Sequence, residues 1–161
     1  MTCKAFHLAP MAPADIDAVV AIEAEAFRRP WPPDAFRGEL ERCDSFNFTA
    51  KPVDAGGELF GYISFRILLG EVEILRVAVA SEQTRRGIAT RLLEAIPPMA
   101  LTHAASTCFL EVAASNIAAI GLYNRFGFAA VGRRPKYYAP RQSGGPKEDA
   151  VIMKKNLNLL K

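Results

Sequence analysis

Apolar and polar positions along this chain repeat with two periods, and the changes of period mark its elements. Ala5–Ala9 reads as a short first strand. Pro13-Ala14-Asp15 opens a helical pattern in which Ile16, Val19, Val20 and Phe27 share one face, with Asp15, Asp17, Glu23 and Glu25 elsewhere. Pro30 ends it, because the residue before a proline is driven out of the helical region. Pro32-Pro33-Asp34 starts a shorter helix through about Arg42, since proline is tolerated in a first turn. Ser45–Lys51 and Glu58–Leu69 read as strands joined by the turn residues Val53-Asp54-Ala55-Gly56-Gly57. Gly70 breaks the run, and Glu71–Ala80 forms another strand. A helix is expected from about Arg86-Gly87 through Leu93, with a kink or an early end at Pro97-Pro98. Thr107–Ala113 is an apolar strand. Asn116 as N-cap and Gly127 just past the end frame a helix over roughly Ile117–Phe126. Phe128–Arg134 and Glu148–Asn156 read as two closing strands. This order predicts an α/β chain (an α+β mixed sheet), about seven strands with helices on both faces. Its length predicts a single domain over residues 1–161.

Composition narrows the class. Half the residues are hydrophobic and 23% are charged, which fits a globular chain rather than a disordered one. No apolar run approaches the roughly 18 residues of a membrane helix, so no membrane partner is expected. Met1-Thr2-Cys3-Lys4 is not a basic start followed by an apolar stretch, so no signal peptide is expected. Cys3, Cys43 and Cys108 are odd in number and widely spaced. They suggest reduced thiols in the cytoplasm, with neither a disulfide framework nor a metal cluster. His7 and His103 stand alone, which argues against zinc and Ser–His chemistry. A net charge of +3 is too small to imply direct reading of nucleic acid, and Arg28-Arg29, Arg85-Arg86 and Arg133-Arg134 must be judged by position.

Three places carry candidate chemistry. The strand Ile74–Val79 runs through Ser81–Arg86 into Gly87-Ile88-Ala89 and a helix. Free amides and the positive dipole end at a helix start favour an anion such as a pyrophosphate. A plain strand-to-helix turn with exposed arginines has the same spacing. The residues after Gly87 exclude a nucleotide P-loop, which needs a lysine and a hydroxyl there. Glu111 sits among apolar residues in Cys108–Ala113. It is either a glutamate reaching solvent or a general base whose pKa partial burial would raise toward neutrality. Tyr123 is either core or a phenol placed to give a proton, and Asn116 either caps its helix or binds a ligand.

Val77-Ala78-Val79, Arg85-Arg86-Gly87-Ile88-Ala89-Thr90, Leu110-Glu111-Val112, Asn116 through Tyr123, and Phe126-Gly127-Phe128 together resemble the GNAT acetyltransferase superfamily. Within it, Pro30-Trp31 with Phe36, Tyr137-Tyr138 and Glu148–Met153 resemble the ribosomal-protein alanine N-acetyltransferase (RimI-type) branch. The resemblance covers nearly the whole chain. It implies a GNAT-type fold and a cytoplasmic enzyme that uses acetyl-CoA as co-substrate and no metal. It implies that Val77, Ala78 and Val79 pair with the pantetheine arm, that Arg85, Arg86, Gly87, Ile88, Ala89 and Thr90 hold the pyrophosphate, and that Asn116 contacts the arm. By the same resemblance Glu111 takes a proton from the acceptor, Tyr123 protonates the leaving thiolate, and Trp31 and Tyr138 bind the substrate. The implied acceptor is the N-terminal alanine of a ribosomal protein. An α-amine with a pKa of about 7.7–8.0 costs less than about 1.5 kcal/mol to deprotonate at neutral pH, against roughly 4–5 kcal/mol for lysine. Another amine as acceptor, or a catalytically idle acyl-CoA-binding module, are the alternatives. Thr84 stands where the family has Gln or Arg, which moves one phosphate contact to Gln83 or loses it. The stretch Ala139–Lys147 is longer than the branch's usual loop.

Overall fold

The alternating apolar residues between Ser45 and Val79 become an antiparallel run. In the computed structural model, which describes residues 5–54, 56–140 and 144–157, β2 (Ser45–Pro52), β3 (Gly61–Leu68) and β4 (Glu71–Val79) pair in chain order. β1 (Phe6–Pro10) lies antiparallel to β2 at one edge. β5 (Thr107–Ala113) runs parallel to β4, and β7 (Glu148–Asn156) lies antiparallel between β5 and β6 (Ala129–Tyr138). The strand order is β1-β2-β3-β4-β5-β7-β6. It is the mixed seven-stranded sheet that the pattern predicts.

Helices cover both faces. Ile63, Phe65 and Val72 pack against Ile88 and Leu92 of α3 (Ile88–Leu93), Ala100 of α4 (Ile96–Thr102) and Tyr123 of α5 (Ile117–Arg125). Tyr62 and Ala78 face the other way, toward Val19 of α1 (Ile16–Ala26) and Phe36 of α2 (Pro33–Glu41). Successive strand residues point to opposite faces, so neighbours such as Tyr62 and Ile63 serve different cores. Each such side chain contributes about 1.5–3 kcal/mol when fully buried.

The structure departs from expectation in four places. β3 begins at Gly61 rather than Glu58, where a Cβ would stand 2.6 Å from the Ala78 carbonyl oxygen of β4. Only glycine permits that approach. Pro97 and Pro98 coincide with a break after α3, but they then occupy the first turn of the extra helix α4, where their missing amides are not needed. β6 runs past Pro135 to Tyr138, because its ladder with β7 is interrupted between Arg134 and Tyr138 and the proline sits in that gap. Glu23, expected on the polar side of α1, is fully buried. Readings that rest on Met1–Lys4, including Cys3, on Ala55 and on residues 141–143 of the Ala139–Lys147 stretch fall outside the described residues.

One irregularity of the sheet lies in β4. Ser64 of β3 opposes Arg76, whereas Phe65 opposes Ile74, so Leu75 is an extra residue in β4. The bulge reverses the alternation. Ile74 and Val77 face the α3 side, and Arg76 and Ala78 face the α1 side.

Candidate active site

β4 and β5 part company at this bulge. Their parallel ladder spans only Glu71–Ile74 against Thr107–Leu110. Beyond Ile74, β4 stays paired with β3, through Val77 to Ile63 and Val79 to Gly61, and its other edge is free of β5. A free strand edge presents N–H and C=O groups that another extended chain can complete. A cleft of about 1530 Å³ opens at the parting. Its lining brings together Val77, Glu111, Asn116, Tyr123, Trp31 and Tyr138, which lie far apart in sequence. Ala78, Val79 and residues Arg85–Thr90 are not part of that lining and continue beyond its end.

The turn after β4 exposes backbone donors. Arg85 and Gly87 both adopt the left-handed conformation, with φ of 60° and 75°. A Cβ on Gly87 would meet nothing within 4 Å, so the turn is open on that side. The amides of Ile88, Ala89 and Thr90 begin α3 and have no partner within the helix. Such a set suits an anion. The side chains around it are otherwise engaged. Arg86 donates to the Gln83 side-chain oxygen and lies over the Phe60 ring at 5.5 Å. Thr84 donates through its hydroxyl to the Ser81 carbonyl at 3.0 Å. Gln83 is therefore held by Arg86 rather than presented as a substitute for Thr84. The donor set suits an anionic group through its amides first and its arginines second.

Glu111 alternates out of the α3-side core between Leu110 and Val112 and is half-buried. Its Oε1 forms an ion pair with the Arg134 guanidinium, Nε lying 3.0 Å away, and the residue lines the cleft. Tyr123 is almost wholly buried, edge-on to Phe128 with ring centres 5.8 Å apart. Burial pushes its phenol well above the ordinary tyrosine value. Tyr138 is within electrostatic reach of both Tyr123 and Glu111, and burial pushes its own phenol up to about 12. Asn116 caps α5, its side-chain oxygen accepting from the Ala119 amide at 3.2 Å. Burial likewise pushes the Cys108 thiol up to about 12, so this cysteine is a small apolar residue of the core.

The cleft mouth is built from residues that the pattern of the chain left unassigned. Arg28, just after α1, donates to the Ala139 carbonyl and to Glu148, both at 2.8 Å. Glu148 in turn accepts the Ser115 amide at 2.6 Å. These bonds hold its carboxyl down at about 2. Deeper in, the buried Glu23 accepts the Trp31 amide at 2.9 Å and the Tyr62 hydroxyl. Arg76 Nε lies 3.1 Å from the same carboxylate but off the N–H axis, so that contact is an ion pair rather than a hydrogen bond. The Arg76 guanidinium is sandwiched by Phe27 at 4.6 Å and Trp31 at 4.8 Å. A carboxylate, a protonated phenol and a free strand edge facing one cleft can together seat an extended ligand and move protons at its end.

Among the described residues no helix is long and apolar enough to cross a membrane. Residues 16–128 match the Acetyltransferase (GNAT) family. The chain is 31% identical over 144 residues to a putative ribosomal protein bS18-alanine N-acetyltransferase of Bacillus subtilis, covering 89% of this chain and 91% of the relative. It is 33% identical over 140 residues to the ribosomal protein bS18-alanine N-acetyltransferase of Escherichia coli, covering 86% and 89%. The crystal structure of the ribosomal-protein-S18-alanine N-acetyltransferase from Escherichia coli superposes with a TM-score of 0.83 at 27% identity, over 95% of this chain and 94% of that one. Arabidopsis thaliana NAA60 in complex with acetyl-CoA shares the fold, with a TM-score of 0.83 at 22% identity over 96% and 99%. The family match spans well over half of the sequence, and the chain belongs to the GNAT family of acetyltransferases.

Proposed function

We propose that this acetyltransferase modifies the α-amine of an N-terminal alanine on a ribosomal protein, in the cytoplasm. The observation that carries the reading is the convergence of Glu111 and Tyr123 on the cleft where β4 and β5 part. It is supported by identity, across nearly the whole chain, to relatives named as alanine N-acetyltransferases. Acetyl-CoA supplies the acetyl group as a thioester. Val77–Val79 offer their free edge to its pantetheine arm as a strand offers one to a neighbour. The amides from Gly87 to Thr90 take the pyrophosphate, and Asn116 adds a polar contact from the start of α5. Trp31 and Tyr138 border the acceptor.

The proton balance rests on the same residues. Glu111 takes the proton from the incoming ammonium, directly or through a water. The neutral nitrogen attacks the thioester carbonyl, the C–N bond forms and the C–S bond breaks, and the nitrogen sheds its surplus proton to solvent, as Glu111 does the one it took up. The Tyr123 phenol gives its proton to the departing sulfur and regains one from solvent. A phenol raised by burial stays protonated past its ordinary value of about 10. The rate therefore climbs with pH through about 8 as the amine loses its proton, and it shows no alkaline fall below about pH 10. A kcat profile over that range checks this. A kcat unchanged across that range in Tyr123→Phe would remove the phenol as proton donor.

The substrate is tested by coenzyme A release with a peptide that begins with alanine, beside the same peptide N-terminally blocked but carrying lysine, and beside a polyamine. Turnover of the free-amine peptide alone is expected. Turnover of the blocked peptide or the polyamine without it would sink the assignment.

A further inference from the structure

Arg76 lines the cleft but has no part in the proton balance. The Leu75 bulge turns it to the α1 side, away from the edge that faces the donor. Its guanidinium plane is fixed three ways, by the Phe27 ring, the Trp31 ring and the Glu23 carboxylate. The side chain is 21% exposed. Among the described residues, its terminal amino groups have no hydrogen-bond partner. An immobilised fork of donors at a cleft wall is prepared for an oxygen ligand.

Charge decides which oxygen. Glu23 neutralises Arg76, Arg134 neutralises Glu111, and Arg28 neutralises Glu148. The mouth therefore presents directed donors with little net charge behind them. That suits a neutral carbonyl better than a carboxylate, which would arrive with an unmatched charge. It also spares the reacting amine an extra positive neighbour.

We propose that Arg76 is a specificity-determining residue whose free N–H groups bind the main-chain carbonyl oxygens next to the reacting amine. The inference rests on the reading of the acceptor as a peptide N-terminus and assigns which part of that peptide is recognised.

Trp31 is the chain's one tryptophan and lies against Arg76, so its emission reports on this site. The test uses the full chain loaded with coenzyme A, titrated with an alanyl tripeptide amide, and separately assays turnover of that peptide and of propylamine. Arg76→Lys keeps a charge beside Glu23 but loses the planar fork. The double variant Glu23→Gln with Arg76→Met removes both charges and guards against misfolding. In both variants the peptide KM and the midpoint of the Trp31 titration are expected to rise about tenfold or more. The KM for acetyl-CoA and the KM for propylamine stay put. Unchanged peptide KM and midpoint overturn the proposal. So does an equal rise for propylamine, which has no carbonyl, and so does tighter binding of free alanine than of the amide. A peptide that shifts Trp31 emission through Arg76 yet is not acetylated leaves this inference standing and removes the substrate reading. A peptide acetylated without dependence on Arg76 does the reverse, and a peptide that does neither removes both.

Discussion

Replacing Glu111 by Gln is expected to lower kcat by about 10²–10⁴-fold, the range for losing a positioned general base. The amide keeps the shape of the carboxylate beside Arg134, whose Nε stands 3.0 Å away. It cannot take a proton at neutral pH. Because Arg134 is more than half exposed, the loss of its ion pair has little effect on stability, and solvent takes up the charge. The variant should therefore fold, bind acetyl-CoA with wild-type affinity and fail in the chemical step. Arg134→Ala is the companion. It frees both oxygens of Glu111 without removing the base, so a large loss in this variant would point to charge balance rather than proton transfer. Initial-rate measurements under saturating acetyl-CoA decide the matter. A kcat within a few-fold of wild type in Glu111→Gln would take the base role from this residue.

The second large effect is expected at Glu23, in stability rather than rate. Glu23→Ala strips the partner from the Trp31 amide, the Tyr62 hydroxyl and the Arg76 guanidinium at one stroke. Removing one member of a buried ionic pair costs roughly 3–5 kcal/mol, because the other charge is left without compensation. For a chain of this size that corresponds to a fall in Tm on the order of 10 °C. Glu23→Gln keeps a hydrogen-bond acceptor and should lose less. The double variant Glu23→Gln with Arg76→Met removes the orphaned cation as well and should recover part of the loss. Thermal unfolding by circular dichroism separates the three. A Glu23→Ala protein that melts like wild type would show that the network contributes nothing to the fold.

The elements were legible because their signals were local. β5 and β7 fall within the ranges that the apolar runs predict, and Asn116 caps α5 as its position before Ile117 implies. The short helix α4 was not, because Pro97 and Pro98 signal a break, and a break and a first turn use the same residue. The cleft residues of the known motifs were legible through resemblance. Those of the mouth were not. Glu23 lies four residues after Val19 and four before Phe27, squarely on the apolar stripe of α1, and that spacing was the available signal. A glutamate is read as solvated by habit, since burial needs partners, and its partners Tyr62 and Arg76 come from strands some forty and fifty residues later. Arg134 and Arg28 looked like members of solvated basic pairs. Only the crossing of β6 and the end of α1 over the same opening sets them against Glu111 and Glu148.

The Leu75 bulge ties two fates together. A single surplus residue ends the β4–β5 ladder, which exposes the edge of β4, and it sets Arg76 and Ala78 on the α1 side in step with Ser64 and Tyr62. Deleting it would make the ladder regular and close that edge against β5, while Arg76 would keep its place opposite Ser64 on the α1 side. Lengthening the strand would move both ends of the reaction at once.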